Sequence, residues 1–396
     1  MQALHAAAAA TFAVTFALLA LGQAGGRKLP RGGIALVGGL LTAVLLRLSW
    51  REVDGEILLL LAGLMVLAGL AEAAGLFAGL RRHLLRRSPG LALWLALALM
   101  VAVSAILLND AAVLVLVPFL VPVASRLGLP PVPVVALLAV AANLGGLLTP
   151  FGNPQNVVLA HAAHLGLLDF LRVQGPLVLL GLAVLAIPCW WLGRHAGAPT
   201  GELPAPAHAH GRPFLVAAVL LFLAAAVADP WLPWGLGVSA AACAAIALAG
   251  LSVKLGREAA RSAWKGLDWN VLAMFVGLFL LTGGLRAWFP SAWVPTRHLG
   301  SAATAGLATT ALSNLIGNVP ATLVLLRLDP AWTVAHAAFL VTVTTLGGSL
   351  LLTGSAASLI AAEQARRAGV ELRFLPFLVH AAWILPVLAV GAWWTW

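Results

Sequence analysis

The chain has 396 residues, of which 62% are hydrophobic and 9% are charged, and its mean hydropathy is +1.02. Soluble chains are roughly half apolar and a quarter charged, so this composition excludes a water-soluble domain and indicates an integral membrane protein. Two cysteines exclude a disulfide framework and a Cys-rich metal site. The net charge of +10 would suggest nucleic acid binding in a soluble protein. In a membrane protein it reports topology first, so no nucleic-acid partner is expected.

Crossing about 30 Å of hydrocarbon takes roughly 20 apolar residues. Eight stretches fit a full crossing: 3–21, 32–48, 56–79, 170–192, 213–228, 236–252, 270–285 and 374–394. Four further stretches are interrupted by polar, Gly or Pro residues: 91–125, 133–168, 301–328 and 331–362. The expected fold is therefore all-α and polytopic, and several of its helices break inside the membrane.

The distribution of Lys and Arg between the loops predicts the membrane topology. We predict that the first and third interrupted stretches are re-entrant hairpins and that the second and fourth are broken helices that cross, which gives ten crossings with both termini outside. Seventeen of the 23 Lys and Arg residues then lie in inner segments and six in outer ones, as the positive-inside rule requires. The first 26 residues contain no Lys or Arg, so the first apolar run lacks the charged start of a signal peptide and is kept as a helix.

The Pro-, Ala- and His-rich stretch 193–212 reads as an inner linker between two halves. Its His208 and His210 read as solvated loop residues, because no third metal ligand accompanies them. The expected organisation is N-terminal scaffold helices at 1–55, a first repeat at 56–192, the linker at 193–212, scaffold helices at 213–252 and a second repeat at 253–396.

Two sequence patterns occur in both halves. Ser104-x4-Asn109 with Ala112 recurs 209 residues later as Ser313-x4-Asn318 with Ala321, and Leu144-Gly145-Gly146-x-Leu148 with Gly152 recurs 202 residues later as Leu346-Gly347-Gly348-x-Leu350 with Gly354. Under the predicted topology the second copy enters the membrane from the opposite side, so the repeat is inverted. Inverted repeats with paired interruptions are typical of secondary transporters, whose site lies near the midplane between the copies.

The interruptions supply the candidate site residues. Those predicted to bind substrate are Asn109, Gly152, Asn153, Pro154, Gln155, Asn156, Asn318, Thr353, Gly354 and Ser355. Those predicted to bind a coupling ion are Asp110, Ser104, Ser313, Asn314 and Ser358. Carboxamides and hydroxyls both donate and accept, so they can replace a hydration shell. No metal or cofactor is expected beyond sodium or a proton as the coupling ion.

At these residues the sequence resembles the ion transporter superfamily of divalent anion/sodium symporters, citrate-transporter-like permeases and arsenite permeases. The segment from Thr149 to Asn156 is similar to the TPxGNPxN signature of its broken helix, and the hairpin tips at Asn109 and Asn318 are similar to its two tips. The resemblance implies an elevator-type transport domain that moves against a scaffold. It departs at Asn109-Asp110-Ala111, where the symporters carry Ser-Asn-Thr. The Asn-Asp pair is more similar to the arsenite permeases and sodium/proton antiporters of the superfamily, whereas the GNPQN motif is more similar to the anion permeases.

The expected function is cation-coupled transport of a small anion, a dicarboxylate, citrate-like or inorganic, across the inner membrane. The alternatives are a metalloid efflux permease, since a neutral substrate needs no compensation for Asp110, and a sodium/proton antiporter. A membrane enzyme is disfavoured because HExxH and GxSxG motifs are missing from the sequence. The expected partners are the substrate, the bilayer and a second copy that pairs through the scaffold helices.

The sequence does not assign a role to three further titratable residues. Glu72 lies within an uninterrupted apolar stretch, where an acid is either functional or structurally paired. His161 and His164 follow the GNPQN motif and could relay protons. A buried, hydrogen-bonded histidine pair is the favoured interpretation.

Overall fold

The computed structural model describes residues 2–21, 23–24, 27–28, 31–76, 80–198, 212–284, 301–328, 336–352 and 354–396. The predictions for Thr353, for the side chain of Glu72 and for His208 and His210 lie outside the described residues.

The described part is helical apart from an antiparallel pair of two-residue strands, β1 (Gln23–Ala24) and β2 (Arg27–Lys28). The first half contains α1 (Gln2–Leu21), α2 (Arg31–Leu46), α3 (Gly55–Ala73), α4 (Leu80–Leu84), α5 (Pro89–Leu107), α6 (Asn109–Arg126), α7 (Pro131–Gly146), α8 (Pro154–Ala163) and α9 (Leu167–Arg194). The second half contains α10 (Arg212–Ala228), α11 (Gly235–Leu255), α12 (Arg257–Gly266), α13 (Trp269–Gly283), α14 (Ala302–Ile316), α15 (Asn318–Leu328), α16 (Ala337–Gly348), α17 (Ala356–Arg367), α18 (Phe374–Ala381) and α19 (Leu385–Thr395).

Length and surface both indicate a membrane protein. Six helical stretches in the described part are long and apolar enough to cross: Pro89–Leu107, Asn109–Arg126, Leu167–Arg194, Gly235–Leu255, Arg257–Gly283 and Phe374–Thr395. Tryptophans are exposed at helix ends, as at Trp190, Trp231, Trp264 and Trp393. Aromatic residues at helix ends are typical of the membrane–water interfaces. The chain is a multi-span membrane protein.

The helices break at the four interruptions. In the first hairpin, α5 and α6 meet at Leu108, whose φ is 78°, and in the second, α14 and α15 meet at Gly317, whose φ is 95°. The first broken helix consists of α7 and α8, and the second of α16 and α17. The arms of the first hairpin have 19 and 18 residues, which at about 1.5 Å per residue reach nearly across the hydrocarbon layer. Those of the second have 15 and 11.

Two packing groups surround these breaks. In one, α2 lies along α13, and α3 lies along α11 and α12. In the other, α7 packs against both arms of the first hairpin, and α17 packs against α6 and α7. Small residues permit the close approaches, since a Cβ on Gly39 would overlap the backbone of Gly277 where α2 meets α13. Close small-residue contacts of this kind are how helices pack in lipid, where apolar burial gives little driving force.

Candidate functional site

The same hydrogen bonds join each hairpin tip to the break of its own half. The Asn109 N–H donates to the carbonyl of Gly152 (2.9 Å), and the Asn318 N–H donates to the carbonyl of Gly354 (3.2 Å). In each tip the asparagine Oδ1 accepts the N–H of the next residue, at 2.8 Å in the first and 3.0 Å in the second. The two halves therefore share one local geometry at their breaks.

Buried side chains also connect the two halves directly. The Asn143 Oδ1 accepts from Asn109 Nδ2 (3.1 Å) within its own half and from Ser355 Oγ (3.0 Å) in the other. Gln155 Nε2 donates in the reverse direction, to Thr345 Oγ1 (2.9 Å). Asn143 and Thr345 are 202 residues apart, the same offset as the Gly-Gly pattern, and sequence reasoning missed both because they lie inside helices rather than at the breaks.

Two predicted residues satisfy carbonyl groups at the breaks. Asn156 Nδ2 donates to the carbonyl of Gly146 (2.6 Å) and to that of Thr149 (3.1 Å). In the second half Asn314 Nδ2 donates to the carbonyl of Gly347 (2.7 Å). These bonds stabilise the irregular backbone, which at this depth must be buried in protein or line a polar cavity.

Several buried polar atoms at the site have no hydrogen-bond partner among the described residues: Ser104 Oγ, Asn153 Nδ2, Gln155 Oε1, Asn156 Oδ1 and Ser358 Oγ. All five belong to predicted site residues. Ser313, which is equivalent to Ser104 in the repeat, does have a partner, since its Oγ donates to the carbonyl of Thr344 (2.8 Å). Buried polar atoms without partners are rare in native proteins, so these five are available to a ligand, an ion or water.

The two tips face one cavity of about 140 Å³. Its polar or break-forming lining includes Asp110, Asn153, Pro154, Gly317, Asn318, Pro320 and Asp268. The other predicted residues in the described part do not line this cavity. Those that are buried behind it are Ser104, Asn109, Gly152, Gln155, Asn156, Ser313, Gly354, Ser355 and Ser358, and Asn314 is partly buried. The structure therefore separates a lining layer from a supporting layer that the sequence did not distinguish.

A larger cavity of about 370 Å³ adjoins the first at Asp110 and Asp268. Ser262 and Lys265 line it from α12. The sequence placed Lys265 and Asp268 just before a crossing and gave no sign that α12 and the start of α13 face the first hairpin. Lys265 brings a positive charge to this cavity, whereas the sequence showed no Lys or Arg near the interruptions.

The favoured interpretation of the histidines is wrong, because His161 and His164 are exposed. The helix α8 ends at Ala163, and His164 is its left-handed cap, so the chain leaves the helix earlier than predicted. Both line a separate cavity of about 350 Å³ with Glu56 and Asp229. Burial raises the pKa of Asp229 above its ordinary value, while His161 acts in the opposite direction.

No group of three or more His, Cys, Asp or Glu side chains within the described ranges could hold a metal ion. The cavity at the tips is lined by the carboxamides of Asn153 and Asn318 and by the carboxylates of Asp110 and Asp268. Such groups bind and release small polar solutes and ions.

Comparison with known proteins identifies the family and the fold. The inner membrane protein YbiR of Escherichia coli (strain K12) is 30% identical over 362 residues, which are 86% of this chain and 90% of the relative. The silicon efflux transporter LSI3 of Oryza sativa subsp. japonica is 26% identical over 90% of each chain. The crystal structure of the YdaH transporter of Alcanivorax borkumensis matches with a TM-score of 0.53 at 18% identity, over 91% of this chain and 86% of that one, which supports the fold alone.

The family model described as Citrate transporter matches residues 16–338, a range that holds both hairpins and the first broken helix. The chain is a membrane transporter, not an enzyme, and it belongs to the citrate transporter family.

Proposed function

We propose that this protein is a secondary transporter that moves a small anion, a dicarboxylate, citrate-like or inorganic, across the inner membrane and is driven by sodium or protons. The observation that carries the proposal is the cavity of about 140 Å³ that Asp110, Asn318 and the buried Asn153 line, where the Asn153 amide nitrogen has no hydrogen-bond partner among the described residues. Amide and hydroxyl groups would hold the anion, and a cation at Asp110 would remove the repulsion between the carboxylate and the anion.

The proposal assigns two roles. Asn153, Asn318 and the residues around both breaks would bind substrate, and Asp110 would bind the coupling cation with support from Ser104, Ser313, Asn314 and Ser358. The four interrupted elements would form a transport unit that moves against the scaffold helices, with ten crossings, inverted repeats and a second copy packed on the scaffold. Sidedness follows from the loop charges.

Replacement of Asp110 by Asn tests the proposal, because it keeps the shape and removes the charge. Purified protein in vesicles with an imposed sodium or proton gradient would be assayed with succinate, citrate, sulfate and arsenite. The proposal is supported if the cation gradient stimulates anion uptake by the wild type and this stimulation falls about 5- to 150-fold in Asp110→Asn. That is the usual range of coupling between two sites. Asp169→Asn is the matched control, because Asp169 is an exposed acid that accepts the N–H of Gly166 at the start of α9.

A second candidate is efflux of a neutral hydroxylated metalloid, favoured by the full-length similarity to a silicon efflux transporter. The same vesicles distinguish it: gradient-driven movement of silicic acid or arsenite without anion uptake would replace the anion proposal. Sodium-for-proton exchange without any of these substrates would indicate an antiporter. Cation stimulation that is unchanged in Asp110→Asn would remove the coupling role from this residue.

A further inference from the structure

Two carboxylates line both of the cavities described beside the first hairpin tip. Asp110 at the start of α6 and Asp268 at the start of α13 line both the cavity of about 140 Å³ and the cavity of about 370 Å³. Asp110 belongs to the first hairpin, whereas Asp268 belongs to the helix group around α2 and α3. The junction therefore joins elements that the predicted mechanism assigns to different moving parts.

Neither carboxylate is fully satisfied by the described residues. Asp110 is 7% exposed, and no described residue donates a hydrogen bond to its carboxylate or pairs with it. Asp268 caps α13, with its Oδ1 accepting the N–H groups of Asn270 (3.0 Å) and Val271 (3.1 Å). Its Oδ2 receives no hydrogen bond from the described residues. Oxygen atoms without donors on two acids that line the same cavity are suited to a cation.

Two further observations point to a ligand at this junction. Asn153 is 1% exposed, lines the smaller cavity with both acids, and its amide nitrogen has no partner, so the carboxamide is free to turn either end toward a bound group. Pro118 in α6 lacks an N–H, so the carbonyl of Leu114, which lines the larger cavity one turn after Asp110, lacks its usual intrahelical donor.

The positive charge in the larger cavity does not neutralise the pair directly. Lys265 lines this cavity, but in the described part of the chain it forms no ion pair with either acid. Two carboxylates in a partly buried site repel each other, and a proton or metal cation between them removes the repulsion.

We propose that Asp268 is the second ligand of the coupling-cation site, so that one monovalent cation, Na⁺ or a proton, is held between Asp110 of the first hairpin and Asp268 of α13. The inference rests on the proposed function, in which Asp110 binds the cation. It adds a ligand from outside the interrupted elements, so the cation site is complete only when the tip of the first hairpin lies across the cavity from Asp268. Departure of the hairpin would then weaken cation binding.

Asp268→Asn separates charge from capping, because Asn is as good an N-cap as Asp. Cation binding would be measured without substrate, as the thermal shift of the purified transporter on titration with NaCl against choline chloride at fixed pH, and on acidification in choline chloride alone. The first series reports Na⁺ and the second reports protons. We expect the apparent affinity for the active cation to weaken about tenfold or more in Asp268→Asn, since cation affinity follows the number of charged ligands.

The control Asp169→Asn should retain the wild-type response in the series to which the wild type responds. Asp268→Ala should lower the melting temperature further by loss of the cap, while its cation affinity matches that of Asp268→Asn. A wild-type affinity in Asp268→Asn, or no response of the wild type to either cation, overturns the inference. If the cation response depends on both acids but no anion is transported, the proposed function fails while the cation site stands.

Discussion

The two hairpin tips have the same backbone arrangement but different chemistry. Each begins a helix with an asparagine whose N–H bonds to a glycine carbonyl of its own broken helix. The next residue is Asp110 in the first tip and Val319 in the second. The residue at the break is Leu108 in the first and Gly317 in the second. The two tips share the frame that holds the breaks open, whereas the residue after the tip asparagine is titratable in the first tip and apolar in the second.

Under the proposed function, one frame would serve two ligands. Hydrogen bonds from backbone and carboxamide groups fix the position of both tips and carry no net charge. A cation would bind at the tip with the carboxylate, and a polar substrate would bind the neutral groups of both. Substitutions at equivalent positions measure how far the two halves are alike.

The hydrogen bonds between the two halves should contribute unequally to the free energy of unfolding. Asn143→Ala leaves both Asn109 Nδ2 and Ser355 Oγ without an acceptor, which should lower the free energy of unfolding by about 2–5 kcal/mol, whereas Thr345→Val leaves only Gln155 Nε2 and should cost about 1–3 kcal/mol. Thermal unfolding in detergent measures the order. Equal shifts for the two variants would contradict the central position of Asn143.

Equivalent glycines should differ because their neighbours differ. A Cβ on Gly145 would overlap the backbone carbonyl of Val101, which cannot move aside, whereas a Cβ on Gly347 would meet Oγ1 of Thr310 at 2.6 Å, on a side chain that can rotate. Gly145→Ala should destabilise by about 1–3 kcal/mol and Gly347→Ala by less. Melting temperatures of the two variants, with each compared to wild type, give the result; the reverse order would be inconsistent with this packing.

At the break residues, the usual order of stability of Ala and Gly substitutions should be reversed. Leu108 has φ 78° and ψ 132°, a sparsely populated conformation that costs a non-glycine residue about 1–3 kcal/mol. Leu108→Gly should therefore be more stable than Leu108→Ala, although Gly is about 1 kcal/mol worse than Ala inside a helix. Val113 lies inside α6 and is the control, because there Val113→Ala should be more stable than Val113→Gly. At the equivalent position, Gly317→Ala should destabilise. Unfolding midpoints that show Leu108→Ala as the more stable would remove the argument for strain.

The smallest effects should occur at the contacts near the ends of the interrupted elements. Arg327 Nη2 lies 3.0 Å from Glu52 Oε2, and His161 Nδ1 lies 3.6 Å from Asp54 Oδ2, a pair that is ionic only when the imidazole is protonated. Each such surface pair contributes up to about 1 kcal/mol. Arg327→Ala should cost more than His161→Ala, because the Arg327 pair is shorter and less exposed. Melting temperatures of the two variants give the order, and a larger loss in His161→Ala would contradict it.

The sequence predicted the breaks well because Asn-Asp, Gly-Asn-Pro and Asn-Val-Pro interrupt apolar runs, where any polar or Pro residue is conspicuous. The sequence did not predict that Asn143 and Thr345 accept hydrogen bonds from the other half, because one polar residue in a helical run carries no sign of which helix it faces. Comparison of positions 202 residues apart would have identified the two as equivalent. Asp268 could not be placed, since its role as an N-cap is local whereas its position beside Asp110 results from packing of α13.

The exposure of His161 and His164 has a related cause. Hydropathy extends the apolar run to residue 168, but the left-handed conformation of His164 ends the helix at Ala163. The end of a short half-helix is decided by its cap and not by hydropathy. The first broken helix is therefore shorter than its apolar sequence.

The short segment that carries Glu52 and Asp54 contacts both halves of the molecule. Glu52 pairs with Arg327 at the end of the second hairpin, and Asp54 lies beside His161 at the end of the first broken helix. Any concerted displacement of those two elements away from this segment must separate both pairs in one step. The rate of that displacement would then fall at low ionic strength and rise at high ionic strength, because salt weakens both charge pairs. The screening length is about 10 Å at 0.1 M salt.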